Sequence, residues 1–196
     1  MIEKLANYFV TWQVKRSYLS SEEQKLYQYA YELLIGQVVN LLIACLLAVI
    51  FRAYITVPVF LAFFIPLRSY AGGHHADNFN TCTVVSASML CIVCIIEKRI
   101  PEGAVLAADF LASGLCGLCI FLLAPVEDPN KPFDQKERIR YQKRSRSIWG
   151  IEVILWLLCY GIGAREISLA AALGHLAVAV LLCAGVIKNK KRKIHI

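Results

Sequence analysis

Arg68-Ser-Tyr-Ala-Gly-Gly-His-His-Ala-Asp-Asn-Phe-Asn-Thr-Cys82 stands between two apolar runs, residues 54–67 and 83–96. The run before it is shorter than the roughly 20 residues that a helix needs to cross hydrocarbon, and it contains Pro58 and Pro66. A short span leaves the polar stretch below the membrane surface. Irregular backbone survives there only where protein buries it or water fills it. The pattern therefore implies a cavity at residues 68–82, and a helical membrane protein around it.

Further apolar runs at 36–51, 104–124, 148–163 and 167–187 complete the frame. With 58% hydrophobic residues in 196, the chain is too apolar to bury its surface in a soluble core of that size. The expected fold is all-α: a polytopic membrane protein with about six spanning or re-entrant helices and an N-terminal amphipathic interfacial region. It reads as one integral membrane domain over 1–196, divided into an interfacial part (1–35), membrane helices (36–187) and a basic tail (188–196). Residues 1–32 carry charges of both signs and lack the apolar core of a signal peptide. They read as a pair of helices lying on the bilayer. Leu5, Tyr8, Phe9 and Trp12 share one face, and Ser20 or Ser21 with Glu23 or Gln24 forms a capping box for the second helix.

The net charge of +7 is concentrated in particular loops. The N-terminal stretch, the 68–82 loop, the 125–147 loop and the tail hold seventeen of the 21 lysines and arginines, against Arg52, Lys98, Arg99 and Arg165 on the other side. This asymmetry places both termini, the 68–82 loop and the 125–147 loop in the cytoplasm of a multi-pass cell-membrane protein. The 125–147 segment starts with prolines and becomes densely basic, so its second half reads as a basic helix running into the fifth span. Such charge suits anionic lipid or an acidic polypeptide, or serves topology alone. No nucleic-acid fold signature accompanies it.

Seven of the eight cysteines lie inside apolar runs, where cysteine behaves as a small hydrophobe. The pairs Cys91/Cys94 and Cys116/Cys119 have metal or redox spacing but lack polar neighbours, so they read as helix packing, and no structural disulfide is expected. His175, alone in an apolar helix, reads as a packing or interhelical hydrogen-bonding residue.

Cys82 is different, because it follows Asn78, Asn80 and Thr81, which are capping residue types, and so falls in a first helical turn. The helix dipole favours a thiolate there. His75 is the natural general base, and later the general acid, with His74 as its competitor. Seven residues of continuous helix would hold His75 about 10 Å from Cys82, so the chain must fold back between them, and Asp77 suits such a turn. Gly72 and Gly73 can offer N–H groups to an oxyanion. Arg68 can hold a substrate carbonyl or carboxylate, or a lipid phosphate. A zinc site drawn from His74, His75, Asp77 and Cys82 is a further possibility, although adjacent side chains rarely converge on one ion.

Arg68, then Gly72-Gly73-His74-His75-Ala76, then Cys82 resembles the signature of the accessory gene regulator B (AgrB) family, membrane cysteine endopeptidases of peptide quorum sensing. The resemblance extends over nearly the whole chain, from the amphipathic N-terminus through the short second span to Ala124-Pro125-Val126 before the basic loop. It implies a catalytic pair of His75 and Cys82, with Arg68 and Gly73 as motif residues. It also implies cleavage of a small precursor peptide and closure of its signal region into a thiolactone or lactone. Family precursors have an amphipathic leader and an acidic tail. These match the N-terminal surface helix and the basic loop, where Lys143, Arg144 and Arg146 would hold the tail. No cofactor and no metal are called for, and a homodimer is compatible with the sequence.

The competing readings are a non-enzymatic membrane carrier or scaffold gated by the 68–82 loop, and a metal-dependent intramembrane hydrolase. The charge split generates the first prediction. Cysteine-accessibility mapping or reporter fusions should put both termini and residues 125–147 on the cytoplasmic side, and an external 125–147 loop would overturn the topology.

Overall fold

The computed structural model describes residues 2–16, 18–20, 22–74, 79–127 and 133–194. Among these, the regular structure is helical: α1 (Ile2–Lys15), α2 (Gln24–Ile50), α3 (Thr56–Ala71), α4 (Phe79–Arg99), α5 (Val105–Leu123), α6 (Gln135–Gly161) and α7 (Arg165–Ile194), with one 3-10 turn at Glu102–Ala104. Each of the six apolar runs falls on one of the helices α2 to α7. Helices α2, α4, α5 and α7 are long and apolar enough to cross a membrane. Helix α3 has only 16 residues, or about 24 Å at 1.5 Å per residue. Many of the large apolar side chains on these helices are exposed, among them Leu41, Leu42, Leu118, Leu122 and Leu158. Such a surface is a liability in water but is expected against lipid. The chain is thus an all-α polytopic membrane protein.

The chain divides into two compact units, Met1–Leu46 and Leu47–Ile196. In the first, Ala6 and Val10 of α1 are buried, while Leu5, Tyr8, Phe9 and Trp12 stay exposed. Phe9 stacks on Tyr31, and Gln13 Nε2 donates to Tyr31 Oη at 2.7 Å. The second amphipathic helix expected before residue 32 is not separate. No proline interrupts 24–50, and the single Gly36 costs only about 1 kcal/mol, so the surface segment continues directly into the first span as α2. Ser20 Oγ contacts Glu23 Oε2 at 2.8 Å just ahead of it.

In the second unit α7 is the central helix, packed against α3, α4, α5 and α6. Thr56 reaches Glu166 at the start of α3 and α7. Farther along the chain, Ser113 meets His175 and Cys119 meets Cys183. These pairings advance together in residue number, so α3, α5 and α7 run parallel, whereas Asp109–Trp156 and Phe121–Trp149 make α6 antiparallel to α5. Helix α6 is continuous from its basic half into its apolar half, as expected. It starts on a capping box formed by Asp134 and Glu137, which supplies two of the orphan helix-end bonds.

Two sets of polar side chains tie the helices together inside the bundle. His175 Nε2 lies 3.1 Å from Glu152 Oε2, and its Nδ1 lies 3.0 Å from Ser113 Oγ, so one imidazole ties α7 to both α5 and α6. This is the interhelical hydrogen bonding expected of it. Trp156 Nε1 donates to Asp109 Oδ2 at 3.1 Å. Removing one partner of such a pair strands a buried polar group, at a cost of about 1–3 kcal/mol. Replacing both avoids that penalty. His175→Leu should therefore lower thermal stability in detergent, and Glu152→Leu combined with His175→Leu should restore part of the loss.

Candidate active site

The cavity expected at the polar stretch is a cleft of about 400 Å³. One face of α4 lines it through Cys82, Val85, Ser86 and Met89, at spacings of three, four and seven residues. Helix α3 contributes Phe64, Arg68 and Ser69, the α3–α4 connection Gly72 and His74, the α5–α6 connection Val126 and Phe133, α6 Tyr141, and α7 Leu181. Cys82 sits in the first turn of α4 with its side chain exposed. Asn80 and Thr81 lie inside that helix, so they are not its caps. His75, Asp77 and Asn78 lie outside the described residues.

The backbone leading to His75 is held at every step. Gly72 N–H donates to Arg68 O at 3.1 Å, Gly73 N–H to Val126 O at 3.2 Å, and His74 N–H to Leu181 O at 2.8 Å. Val126 N–H returns a bond to Ala71 O at 2.9 Å, which closes a parallel bridge between Gly72 and Val126. The Arg68 guanidinium donates through Nη1 to Gly72 O and through Nη2 to His74 O. A planar fork of donors is suited to gripping two carbonyls at once. Arg68 thus fixes the loop and also lines the cleft beside Cys82.

The glycines play a different part from the one expected. Their N–H groups are occupied by backbone carbonyls, so they are not open to an oxyanion in this structure. Glycine is needed here because the backbone has φ of 75° at Gly72 and 119° at Gly73. A Cβ on Gly72 would stand 2.1 Å from Val126 O, and one on Gly73 would stand 2.7 Å from Leu181 O.

The basic helix also departs from expectation. Arg146 is half-buried against α5: its Nη2 donates to Phe121 O at 3.2 Å and its guanidinium lies 4.9 Å from the Phe121 ring centre. Arg144 is exposed, and packs over the Tyr70 ring at 5.3 Å. Lys143 is exposed, as are Lys136 and Arg140 of the same basic segment, whose alignment with it sequence reading overlooked. Positions 136, 140 and 143 form one helical stripe. Helical spacing from the Asp134 cap would have found it. An aromatic rim was also overlooked: Phe133 stacks on Tyr141 with ring centres 4.7 Å apart, and Tyr141 lies 5.7 Å from Tyr70. No motif signals it, because the three residues come from different helices and loops.

No three His, Cys, Asp or Glu side chains among the described residues are grouped to hold a metal ion. Two of the four residues of the alternative zinc site, His75 and Asp77, are outside that set. All eight cysteines are free thiols, and Cys119 Sγ lies 3.8 Å from Cys183 Sγ.

No solved structure matches the chain. An AgrB-like protein 2 of Clostridium perfringens (strain 13 / Type A) is 26% identical over 167 residues, covering 79% of this chain and 78% of that protein. An AgrB-like protein of Clostridium perfringens (strain SM101 / Type A) is 25% identical over 170 residues, with the same coverage. The family model described as accessory gene regulator B matches residues 2–184. That match takes in the helices of both units up to the cleft-lining part of α7, and with it the chain belongs to the AgrB family of the accessory gene regulator quorum-sensing system.

Proposed function

We propose that the protein is a membrane cysteine endopeptidase that cleaves the C-terminal part of a small precursor peptide and promotes its cyclisation. The observation that carries this reading is the cleft itself. Cys82 lines it from a first helical turn, and the backbone pinned by Arg68 brings His74, the residue before His75, into its wall. In the scheme His75 removes the Cys82 proton and the sulfur attacks the scissile carbonyl. The C–N bond breaks as the C–S bond forms, and His75 protonates the departing amine. The thioester keeps the acyl group activated. A thiol or hydroxyl within the bound peptide then attacks it, which releases the ring and regenerates the Cys82 thiol. Opening a peptide bond directly into a thiolactone would be uphill, so the covalent intermediate is what makes ring closure accessible. The apolar lining from Phe64, Val85, Met89 and Leu181 restricts the water that would otherwise hydrolyse it.

The scheme requires no cofactor. The exposed stripe of Lys136, Arg140 and Lys143, joined by Arg144, is the surface we assign to the acidic tail of the precursor. The exposed apolar face of α1 suits a lipid surface beside an amphipathic leader.

Cys82→Ala and His75→Ala should each abolish cleavage while the inserted protein still binds precursor, and the double variant should be no worse than either alone. A precursor whose ring-closing residue is Ala should remain on Cys82 as a hydroxylamine-sensitive adduct visible by mass spectrometry. Cleavage by Cys82→Ala, or activity that a chelator removes and zinc restores, would refute the assignment. For the tail, combining Lys136→Gln, Arg140→Gln and Lys143→Gln should raise KM with little change in kcat. It should also flatten the salt dependence of KM, because exposed attraction is screened beyond about 8 Å at physiological ionic strength. An unchanged KM would leave the stripe with a topological role alone.

A further inference from the structure

Helix α7 crosses the second unit far from Cys82 in sequence, yet it touches the loop before His75 through a glycine that the proposed chemistry does not use. Gly185 is buried in the interior of α7, where glycine costs about 1 kcal/mol relative to alanine. A Cβ at this position would stand 2.6 Å from Gly73 C, 2.7 Å from His74 N and 2.9 Å from Gly73 Cα. All three are backbone atoms, so no side chain could swing aside to make room.

The neighbouring hydrogen bond explains why the space must stay open. Leu181 lies one turn before Gly185, and its carbonyl accepts the N–H of His74 at 2.8 Å. Side chains on a helix tilt toward its N-terminus, so any residue but glycine at 185 would lie over that carbonyl. A carbonyl has two lone pairs, so Leu181 O can accept from His74 in addition to a bond within its own helix. The contact is reciprocal, because a Cβ on Gly73 would meet Leu181 O and Leu182 N at 2.7 and 3.2 Å. Two glycines and one exposed carbonyl thus form a seat in which the loop lies directly on the helix. The seat is in turn referenced to the bundle, since α7 is held to α5 and α6 through His175.

We propose that Gly185 is a positioning residue for the reaction: together with Leu181 O it fixes the backbone of Gly73 and His74, and so the point from which the catalytic His75 extends. This rests on the cysteine peptidase reading above. Gly185 itself touches neither substrate nor reacting atoms.

The test uses the full-length protein in proteoliposomes with a synthetic precursor, comparing Gly185→Ala, Gly185→Val and Gly114→Ala. Gly114 is the control, a helix-interior glycine with open space where its Cβ would stand. Gly185→Ala should lower kcat about a hundredfold, the scale of a misplacement of about 1 Å in a catalytic group. Gly185→Val should lower it further, with KM nearly unchanged in both, and Gly114→Ala should behave as the parent. The Cys119–Cys183 pair reports the packing of α5 on α7, because the two sulfurs are close enough for diamide to oxidise both thiols to one disulfide as it is reduced to the hydrazide. That cross-link should form equally in every variant. Full activity in Gly185→Val, a rise in KM without loss of kcat, or loss of the cross-link together with activity would each overturn the proposal. Cys82→Ala separates this failure from failure of the underlying reading. If it cleaves precursor, the peptidase reading falls and the proposal with it. If it is inactive while Gly185→Val is active, the proposal alone falls.

Discussion

A backbone amide in hydrocarbon must find a partner or pay several kcal/mol, and the non-helical turn at the end of α3 satisfies this requirement amide by amide. The N–H groups of three successive residues, Gly72 to His74, go to three different places: the last turn of α3, the connection after α5, and α7. The carbonyls of Gly72 and His74 go to one arginine. Such a turn can exist below the membrane surface only if several elements converge on it, and here a short α3, the parallel α5 and α7, and the chain after Ala124 do so. The cleft is the space left between those elements and α4, and its location follows from how the backbone is paired.

Much of this was legible in the sequence, and the limits have physical causes. Six apolar runs marked six helices because hydrophobicity acts locally along the chain. The shortness of the second span, with its prolines, pointed to a cavity because span length is measured against a fixed bilayer thickness. The first-turn position of Cys82 was legible because polar residues precede it and the apolar run of the next span follows, although Asn80 and Thr81 proved to be helical residues and not caps. What could not be read was pairing between distant segments. Gly72-Gly73 looked like an anion nest because isolated glycines with free amides make one, and the sequence does not reveal that Val126 and Leu181 take the bonds. Arg146 looked like one more surface charge in a basic loop. Only the register of α6 against α5 turns it toward Phe121.

The second amphipathic helix was misread for a related reason. Charges near residues 22–32 marked a solvated segment, but polarity does not end a helix. Without a proline after Gln24, and with Gly36 too weak a breaker to stop it, the same helix runs on from the charged segment into the first apolar run. The opposite case is α6, where Asp134 and Glu137 start a helix in the midst of charge, and its continuity carries the basic stripe and the cleft residue Tyr141 on one rigid body.

The lining of the cleft has a consequence for how such proteins diverge. Its wall is assembled from α3, α4, the connection after α5, α6 and α7, so no contiguous stretch of chain carries the whole recognition surface. A hybrid joining the first hundred residues of one relative to the remainder of another would keep Arg68 and Cys82 together, but would set them against a foreign Val126, Tyr141 and Leu181. On the peptidase reading proposed above, preference for a new peptide would then have to be acquired through matched changes on both sides of that junction, and separate lineages would come to speak mutually unintelligible chemical dialects.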